Sequence, residues 1–295
     1  MDDDERAKII QLVLDWYNVH LKHKLRDNEW TVLSGIVAVL PDQTLRLLSI
    51  GTGTKCVGQV ALRSIYVVND SHAEVIAKRA FQRFIHLERL HFLNGTPPPD
   101  SIFDANGCIR WPLYLYISQT PCGDASLYGD RIIGAKPIHL SEDRFMHQTI
   151  GLVRTKSGRS DLPPTHRTSS LSCTDKLKKW NVDGLMKGIF LNGVIVSCEA
   201  EESKEALSRI GGHTFVSNSM SFVHEKSDQR STSTNLSFNW YCVPPYWTLE
   251  TDATIETTIG TKGIPLGSRI GSAKTCSRLC KAAIRTPKIR RKRKR

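Results

Sequence analysis

Short apolar runs alternate with amphipathic ones through the first two hundred residues, and this alternation limits the fold more than any other feature. TVLSGIVAVL (31–40) and TLRLLSIG (44–51) are strand-like and are split by the turn signal Pro41-Asp42. SHAEVIAKRAFQRFIHLERL (71–90) has apolar residues at helical spacing and predicts a helix ending before NGTPPPD (94–100). WPLYLYIS (111–118) and GVIVSCEA (193–200) read as buried strands. CTDKLKKWNVDGLMKGIFL (173–191), with a break near Gly184, and SKEALSRIGG (203–212) read as helices. Ile9, Ile10, Val13, Leu14, Tyr17 and Leu21 predict a further helix over 4–24. Residues 139–170 read as irregular, 213–262 as short strands and turns, and 272–284 as containing a last short helix. Strands interleaved with helices imply an α/β domain, a mixed sheet covered by helices. No internal repeat and no long linker is visible, so one domain is expected over 1–284, followed by a basic tail over 285–295 that reads as disordered.

Charge points to the partner. The formal net charge is +12, and residues 282–295 (AAIRTPKIRRKRKR) hold eight Lys and Arg with no acid. The rest keeps 33 basic against 29 acidic residues, or +4. A mildly basic body with a strongly basic tail fits a polyanion, most commonly nucleic acid; a solvated tail fits the same composition. Apolar runs such as GIVAVL (35–40) are too short to span a bilayer, so no membrane partner is expected. MDDDERAK is not of signal-peptide type, and the expected location is the nucleus, the cytoplasm or both, not secretion. Eight scattered cysteines in such a chain read as reduced thiols, some of them metal ligands.

Three segments carry the chemistry: His72-Ala73-Glu74, Pro121-Cys122-Gly123 and Ser172-Cys173-Thr174-Asp175-Lys176. Each is expected where a loop or strand enters a helix. Unpaired N–H groups and the positive dipole end stabilise a thiolate there. One His nitrogen and two thiolates make a three-ligand zinc site with a fourth position open. Glu74 is two residues from His72, and the two flank one metal only if both lie in the first turn. A core histidine with two buried thiols fits the same spacing. An H-x-E with two distant cysteines is, however, the constellation of zinc nucleobase deaminases.

NDSHAEVIAKRAF (69–81), TPCGDASLY (120–128), SCTDKLKKWNV (172–182) and GTGTKC (51–56) together resemble the deaminase domain of the adenosine deaminases acting on RNA. GLVRTKSGRSD (151–161) looks like the tRNA-specific branch, which deaminates the adenosine 3′ of the anticodon in eukaryotic alanine tRNA. The resemblance runs from residue 1 to about 284 and implies a cytidine-deaminase-like fold with a single zinc site. It implies His72, Cys122 and Cys173 as zinc ligands, Glu74 as proton shuttle and tRNA as partner. It also implies a buried inositol hexakisphosphate, with Asn69, Lys78, Arg79, Lys176, Lys179, Trp180 and Lys281 as matching residues. Asp70, Lys156 and Lys176 would relay between that polyanion and the zinc shell. Independently, Lys78, Arg79, Lys176 and Lys179 form a basic cluster that repels itself unless a polyanion or solvent intervenes.

Thr54 and Lys55 match positions near the target nucleotide; GTGTK lacks the spacing of a P-loop. Arg159 stands where the double-stranded-RNA editors carry a base-displacing glutamate, which argues for a tRNA loop. Arg154, Arg159 and Arg167 are candidates for phosphate contacts, although a flexible basic loop fits too. Cys276 and Cys280, four apart on an expected helix, read as packing. The family continues past the segment matching SRLCKAAI (277–284), where this chain has RTPKIRRKRKR. A second reading therefore stands: a catalytically impaired RNA-binding isoform with intact ligands and a C-terminally shortened fold.

Overall fold

The computed structural model describes residues 1–58, 64–92, 100–128, 131–132, 150–156, 163, 167–198, 203–217, 231–242, 254–269 and 272–285. In chain order its elements begin with α1 (Asp3–His20), β1 (Glu29–Trp30), β2 (Leu33–Val39), β3 (Leu45–Thr52), β4 (Thr54–Cys56) and β5 (Asp70–His72). There follow α2 (Ala73–Phe92), β6 (Leu113–Ile117), β7 (Leu127–Tyr128), β8 (Arg131–Ile132), α3 (Cys173–Asp183), β9 (Gly193–Ser197) and α4 (Ser203–Ser208). The last are β10 (Thr214–Ser217), β11 (Thr232–Ser233), β12 (Leu236–Tyr241), β13 (Glu256–Ile259), β14 (Ile264–Pro265) and α5 (Lys281–Arg285).

Eight strands form the main sheet in the order β10-β9-β6-β2-β3-β12-β13-β14. β10, β9 and β6 run parallel, and the remaining pairs are antiparallel, so the sheet is mixed as expected. Alternation along β2 supplies both faces of the core. Leu33, Val37 and Val39 pack with Ile9, Ile10, Val13 and Tyr17 of α1. Ile36 and Ala38 face the other way, toward Ile76, Ala80, Phe81 and Phe84 of α2. The apolar side chains of α2 that are 0% exposed fall at 73, 76, 77, 80, 81, 84 and 85, the three-four spacing of one helix face. Helices therefore cover both faces of the sheet.

Several expected helices are shorter than their sequence patterns; those over 4–24 and 203–212 end at His20 and Ser208. The run over 173–191 leaves the helix at Asp183, because Gly184 takes φ 80° and its N–H closes onto the Trp180 carbonyl. The last helix covers only Lys281–Arg285, which places Arg285 in α5 rather than in the tail. Before it, Glu256 accepts from Ser277 Oγ at 2.5 Å and from Arg278 N at 3.0 Å. Cys276 therefore lies between two turns and not on a helix with Cys280. The rest of the expected tail, 286–295, and most of the irregular stretch over 139–170 lie outside the described residues.

Candidate metal centre and active site

The site is assembled where β5 runs into α2. His72 is the last residue of β5, immediately before α2, and Glu74 sits in the first turn of α2, so of the two residues expected in that turn only Glu74 lies in it and His72 reaches the site from the strand end. β4 pairs antiparallel with β5, and Thr54 stands opposite His72. This pairing needs Gly53, whose φ is 131° and where a Cβ would come within 2.2 Å of the Ser71 carbonyl oxygen. The Gly53 carbonyl also accepts from Ala73 N at 3.0 Å, satisfying one of the free donors at the start of α2.

Cys173 is the first residue of α3, behind the N-cap Ser172. Cys122 lies two residues before a single 3-10 turn, Asp124–Ser126, rather than at the start of the helix expected there. The two segments dock directly. Cys173 N–H donates to Cys122 Sγ at 3.3 Å, and Thr174 N and Oγ1 both donate to the Cys122 carbonyl at 3.0 Å. Gly123 has φ 105°, and a Cβ on it would lie 2.4 Å from Ser172 Oγ, so only glycine permits this approach.

The result brings the three residues together. The donor atoms of His72, Cys122 and Cys173 lie within 4.8 Å of one another. His72 Nδ1 is 3.9 Å from Cys122 Sγ and 3.5 Å from Cys173 Sγ. Tetrahedral zinc, with Zn–N of about 2.05 Å and Zn–S of about 2.3 Å, asks for an N···S separation of about 3.6 Å. The donor set and its spacing thus fit zinc. Cys56, Asp70 and His72 form an overlapping cluster, but Asp70 is committed to lysines, so the first set is the better metal site.

The thiols are unequal. A hydrogen bond from Cys173 holds Cys122 well below the usual thiol range, while burial and the Cys122 charge push Cys173 well above it. The pair gives up one proton readily, and the second leaves when a dication takes its place. Burial and Lys156 push His72 down, but the charges of Cys56 and Cys122 outweigh them and lift it to about 10. Glu74 is only 3% exposed, and its charge is one of those that act on Cys173, which places a carboxylate against the ligand group.

Behind the ligands lies a buried polar network. Lys156 Nζ donates to Asp70 Oδ1 and Oδ2 at 2.9 and 2.8 Å, and Lys176 Nζ also bonds Asp70 Oδ2. Burial pushes Asp70 up, but the Lys156 and Lys176 ammonium groups hold its carboxyl well below the usual carboxylate range. Asp70 Oδ1 also accepts from His72 N at 3.0 Å, so one carboxylate touches two lysines and a metal-ligand candidate. Ser170, which carries no sequence signal, completes the network by donating to Asp70 Oδ2 at 2.6 Å.

Next to this network is a cavity of about 270 Å³ lined by Asn69, Asp70, Val75, Lys78, Arg79, Gln82, Ser170, Lys176 and Trp180. Five of the seven expected polyanion ligands line it. Lys179 does not, although its charge acts on Lys78. Lys281 is exposed at the start of α5 and is not among the lining residues. Burial, with repulsion from Arg79, Lys176 and Lys179, depresses Lys78 to about 8. Lys78 Nζ also sits 4.5 Å from the centre of the Trp180 ring. Asn69 Oδ1 is buried without a hydrogen-bond partner.

The nucleic-acid candidates divide. Thr54 Oγ1 is buried and unpartnered, and Lys55 donates to Ser233 Oγ at 2.5 Å with its pKa lowered by burial. Arg167 is partly exposed, and Arg159 lies outside the described residues. Arg154 corrects the expectation of a phosphate contact, because it is fully buried with Nε 3.2 Å from Asp124 Oδ1. Asp175, named from sequence only as part of the Cys173 segment, accepts from Ser172 Oγ at 2.5 Å and from Arg154 N at 3.0 Å. The S-x-x-D pattern of a helix cap was the signal for it.

Residues 49–210 match the model of the adenosine-deaminase (editase) domain family. The chain belongs to this family. Among similar proteins, the tRNA-specific adenosine deaminase 1 of Drosophila melanogaster is 36% identical over 192 residues, covering 57% of this chain and 46% of that protein. Its mouse namesake is 39% identical over 145 residues, covering 41% and 28%. The mouse double-stranded RNA-specific adenosine deaminase is 34% identical over 173 residues, covering 49% and 14%. The chain thus spans less than half the length of these editase-domain relatives. The family model runs from within β3 to just past α4, the stretch that contains all three metal-ligand candidates and Glu74. No helix among the described residues is long and apolar enough to cross a membrane.

Proposed function

We propose that this chain is a zinc-dependent hydrolase that deaminates adenosine to inosine in tRNA, with the adenosine 3′ of the anticodon of alanine tRNA as its target. The observation that carries the reading is the convergence of His72, Cys122 and Cys173 to within 4.8 Å, with Glu74 buried beside them. The names of the tRNA-specific relatives support the substrate class.

Zinc, held by His72, Cys122 and Cys173, supplies a Lewis acid that lowers the pKa of water to about 7. Glu74 takes the proton of the attacking water and passes it to N1 of the adenine. Oxygen adds at C6, Glu74 takes the second proton from that oxygen and gives it to the amino group as the C6–N bond breaks, so that adenosine and water give inosine and ammonia. The base must leave its stack to reach this buried carboxylate, and a loop base is cheaper to extract than a paired one. Thr54 and Lys55, on the strand beside His72, meet the nucleotide and its phosphate. Arg159 serves the same nucleotide.

The lysine-rich cavity takes inositol hexakisphosphate. A site with Lys78, Arg79 and Lys176 around one space, and one lysine already depressed to about 8, fits a polyanion better than water. The Asn69 amide, turned about its last bond, offers its N–H₂ to a phosphate oxygen. Lys179, Trp180 and Lys281 complete the proposed set, with Lys281 reaching in from α5. Asp70 and Lys156 link this polyanion to the ligand group.

The test is inosine formation in purified alanine tRNA, with zinc and inositol phosphate measured on the same sample. Glu74→Ala should keep zinc and lose all inosine formation. Residual activity would remove Glu74 from the proton path. No inosine from folded, zinc-loaded wild-type protein would favour an RNA-binding role instead.

A further inference from the structure

Arg154 and Asp124 are buried charges outside the chemistry described so far. Arg154 is 0% exposed and Asp124 2%, with Nε 3.2 Å from Oδ1. Asp124 follows Cys122 by two residues and opens the 3-10 turn there. Its Oδ2 accepts from Gly151 N at 2.8 Å, and Lys178 Nζ of α3 stands 3.4 Å from the same oxygen. From the other side, Arg209 Nη1 donates to the Asp124 and Leu127 carbonyls at 3.0 and 2.6 Å, which fixes the turn.

The main chain of Arg154 belongs to the opposite ligand. Its N–H donates to Asp175 Oδ2 at 3.0 Å, and its carbonyl accepts from Ser172 N at 2.8 Å. Ser172 and Asp175 are the cap of α3 on either side of Cys173. One residue therefore joins, through its backbone, the segment carrying Cys173 and, through its side chain, the segment carrying Cys122. A fully buried ion pair is a poor source of stability compared with apolar packing, but it does specify one geometry.

We propose that the Arg154–Asp124 pair is a positioning device that sets the separation of the Cys122 and Cys173 segments, and so of the two sulfurs to which the metal is fitted. Neither residue lies among the metal-ligand candidates, and both act through the backbone that holds them. The proposal rests on the zinc reading given above.

Cobalt(II) in place of zinc provides a readout other than activity, since its thiolate charge-transfer and ligand-field bands report sulfur number and geometry. The double variant Arg154→Met/Asp124→Asn removes both charges, strands neither, and keeps an acceptor for Gly151 N–H. It should fold, show shifted ligand-field bands, bind zinc about 10–100-fold more weakly, and lose kcat with little change in KM. Arg154→Lys keeps the charge and should recover part of the affinity. A folded double variant with wild-type cobalt bands and zinc affinity would overturn the proposal. Should the double variant fail to fold, Arg154→Lys decides: shifted bands support positioning, and wild-type bands overturn it. Wild-type protein that binds no cobalt through thiolates overturns the zinc reading itself, an outcome distinct from a normal wild type with an altered variant.

Discussion

Replacing Lys78 by Met should stabilise the polyanion-free protein and weaken the polyanion-bound one. Burial comes first among the causes that take Lys78 from 10.5 to about 8, followed by repulsion from Arg79, Lys176 and Lys179, with Asp183 opposing. The folded value lies below the unfolded one. As pH falls from 10.5 toward 8 the unfolded chain takes up a proton that the folded chain refuses, so stability is lost across that window and the penalty is complete below it. At about 1.4 kcal/mol per unit the ceiling is about 3 kcal/mol, and solvent screening reduces it to roughly 2 kcal/mol. Methionine keeps an apolar stem over Trp180 but gives up the cation–π contact, worth about 0.5–1 kcal/mol. The net gain is about 1 kcal/mol, or a rise in Tm of about 2–4 °C. Thermal unfolding followed by circular dichroism at about pH 7 and about pH 10 reads the window. The advantage of Lys78→Met should be present at the lower pH, shrink at the higher, and fall with salt. Adding inositol hexakisphosphate should reverse the order, raising wild type more than the variant. A variant less stable than wild type without polyanion at the lower pH, or equal stabilisation of both by the polyanion, would refute the reasoning.

Cys122→Ser should reduce bound zinc from about one equivalent to a small fraction of one, measured by metal analysis of the folded protein, because a hydroxyl does not replace the thiolate; full zinc occupancy would remove Cys122 from the ligand set. Gly123→Ala forces a side chain into φ 105° and against Ser172 Oγ, and should cost on the order of 1–3 kcal/mol in urea unfolding while weakening zinc retention. An unchanged midpoint would show that the two segments are not as tightly docked. Lys55→Ala should lower the slope of log affinity for tRNA against log salt by about 1, whereas an unchanged slope places Lys55 away from phosphate. Deleting residues 286–295 should lower the same slope further if the basic run contacts RNA, and leave it unchanged if not.

The layers of the fold were legible because burial imposes a period. Ile76, Ala77, Ala80, Phe81 and Phe84 repeat at helical spacing and form one packed face, and β2 alternates between the two cores. The helix ends were less legible. The run over 173–191 stays amphipathic past Gly184, and only the left-handed backbone there stops it. The last helix starts late because Glu256, some twenty residues away, takes the donors of Ser277 and Arg278, a contact with no local trace. The convergence of His72, Cys122 and Cys173 was legible through residue type and placement beside helix starts. Their support was not, since Ser170 and Asp124 act through long-range bonds.

Arg154 shows why charge alone misleads at such a site. In sequence it stands two residues before Lys156 in a basic, polar stretch, and the electrostatic reading sends it to phosphate. In the structure its side chain meets a carboxylate and its main chain caps α3, so its charge is cancelled internally. The same neutralisation is incomplete in the cavity. Asp70 takes Lys156 and Lys176, and Asp183 takes Lys179 at 2.5 Å, while Lys78 is left facing cations and an aromatic ring. A buried cation can be held by an internal anion, by a ligand, or by giving up its proton. Arg154 takes the first route. Lys78, depressed to about 8, is partway along the third, and a polyanion would return it to the second.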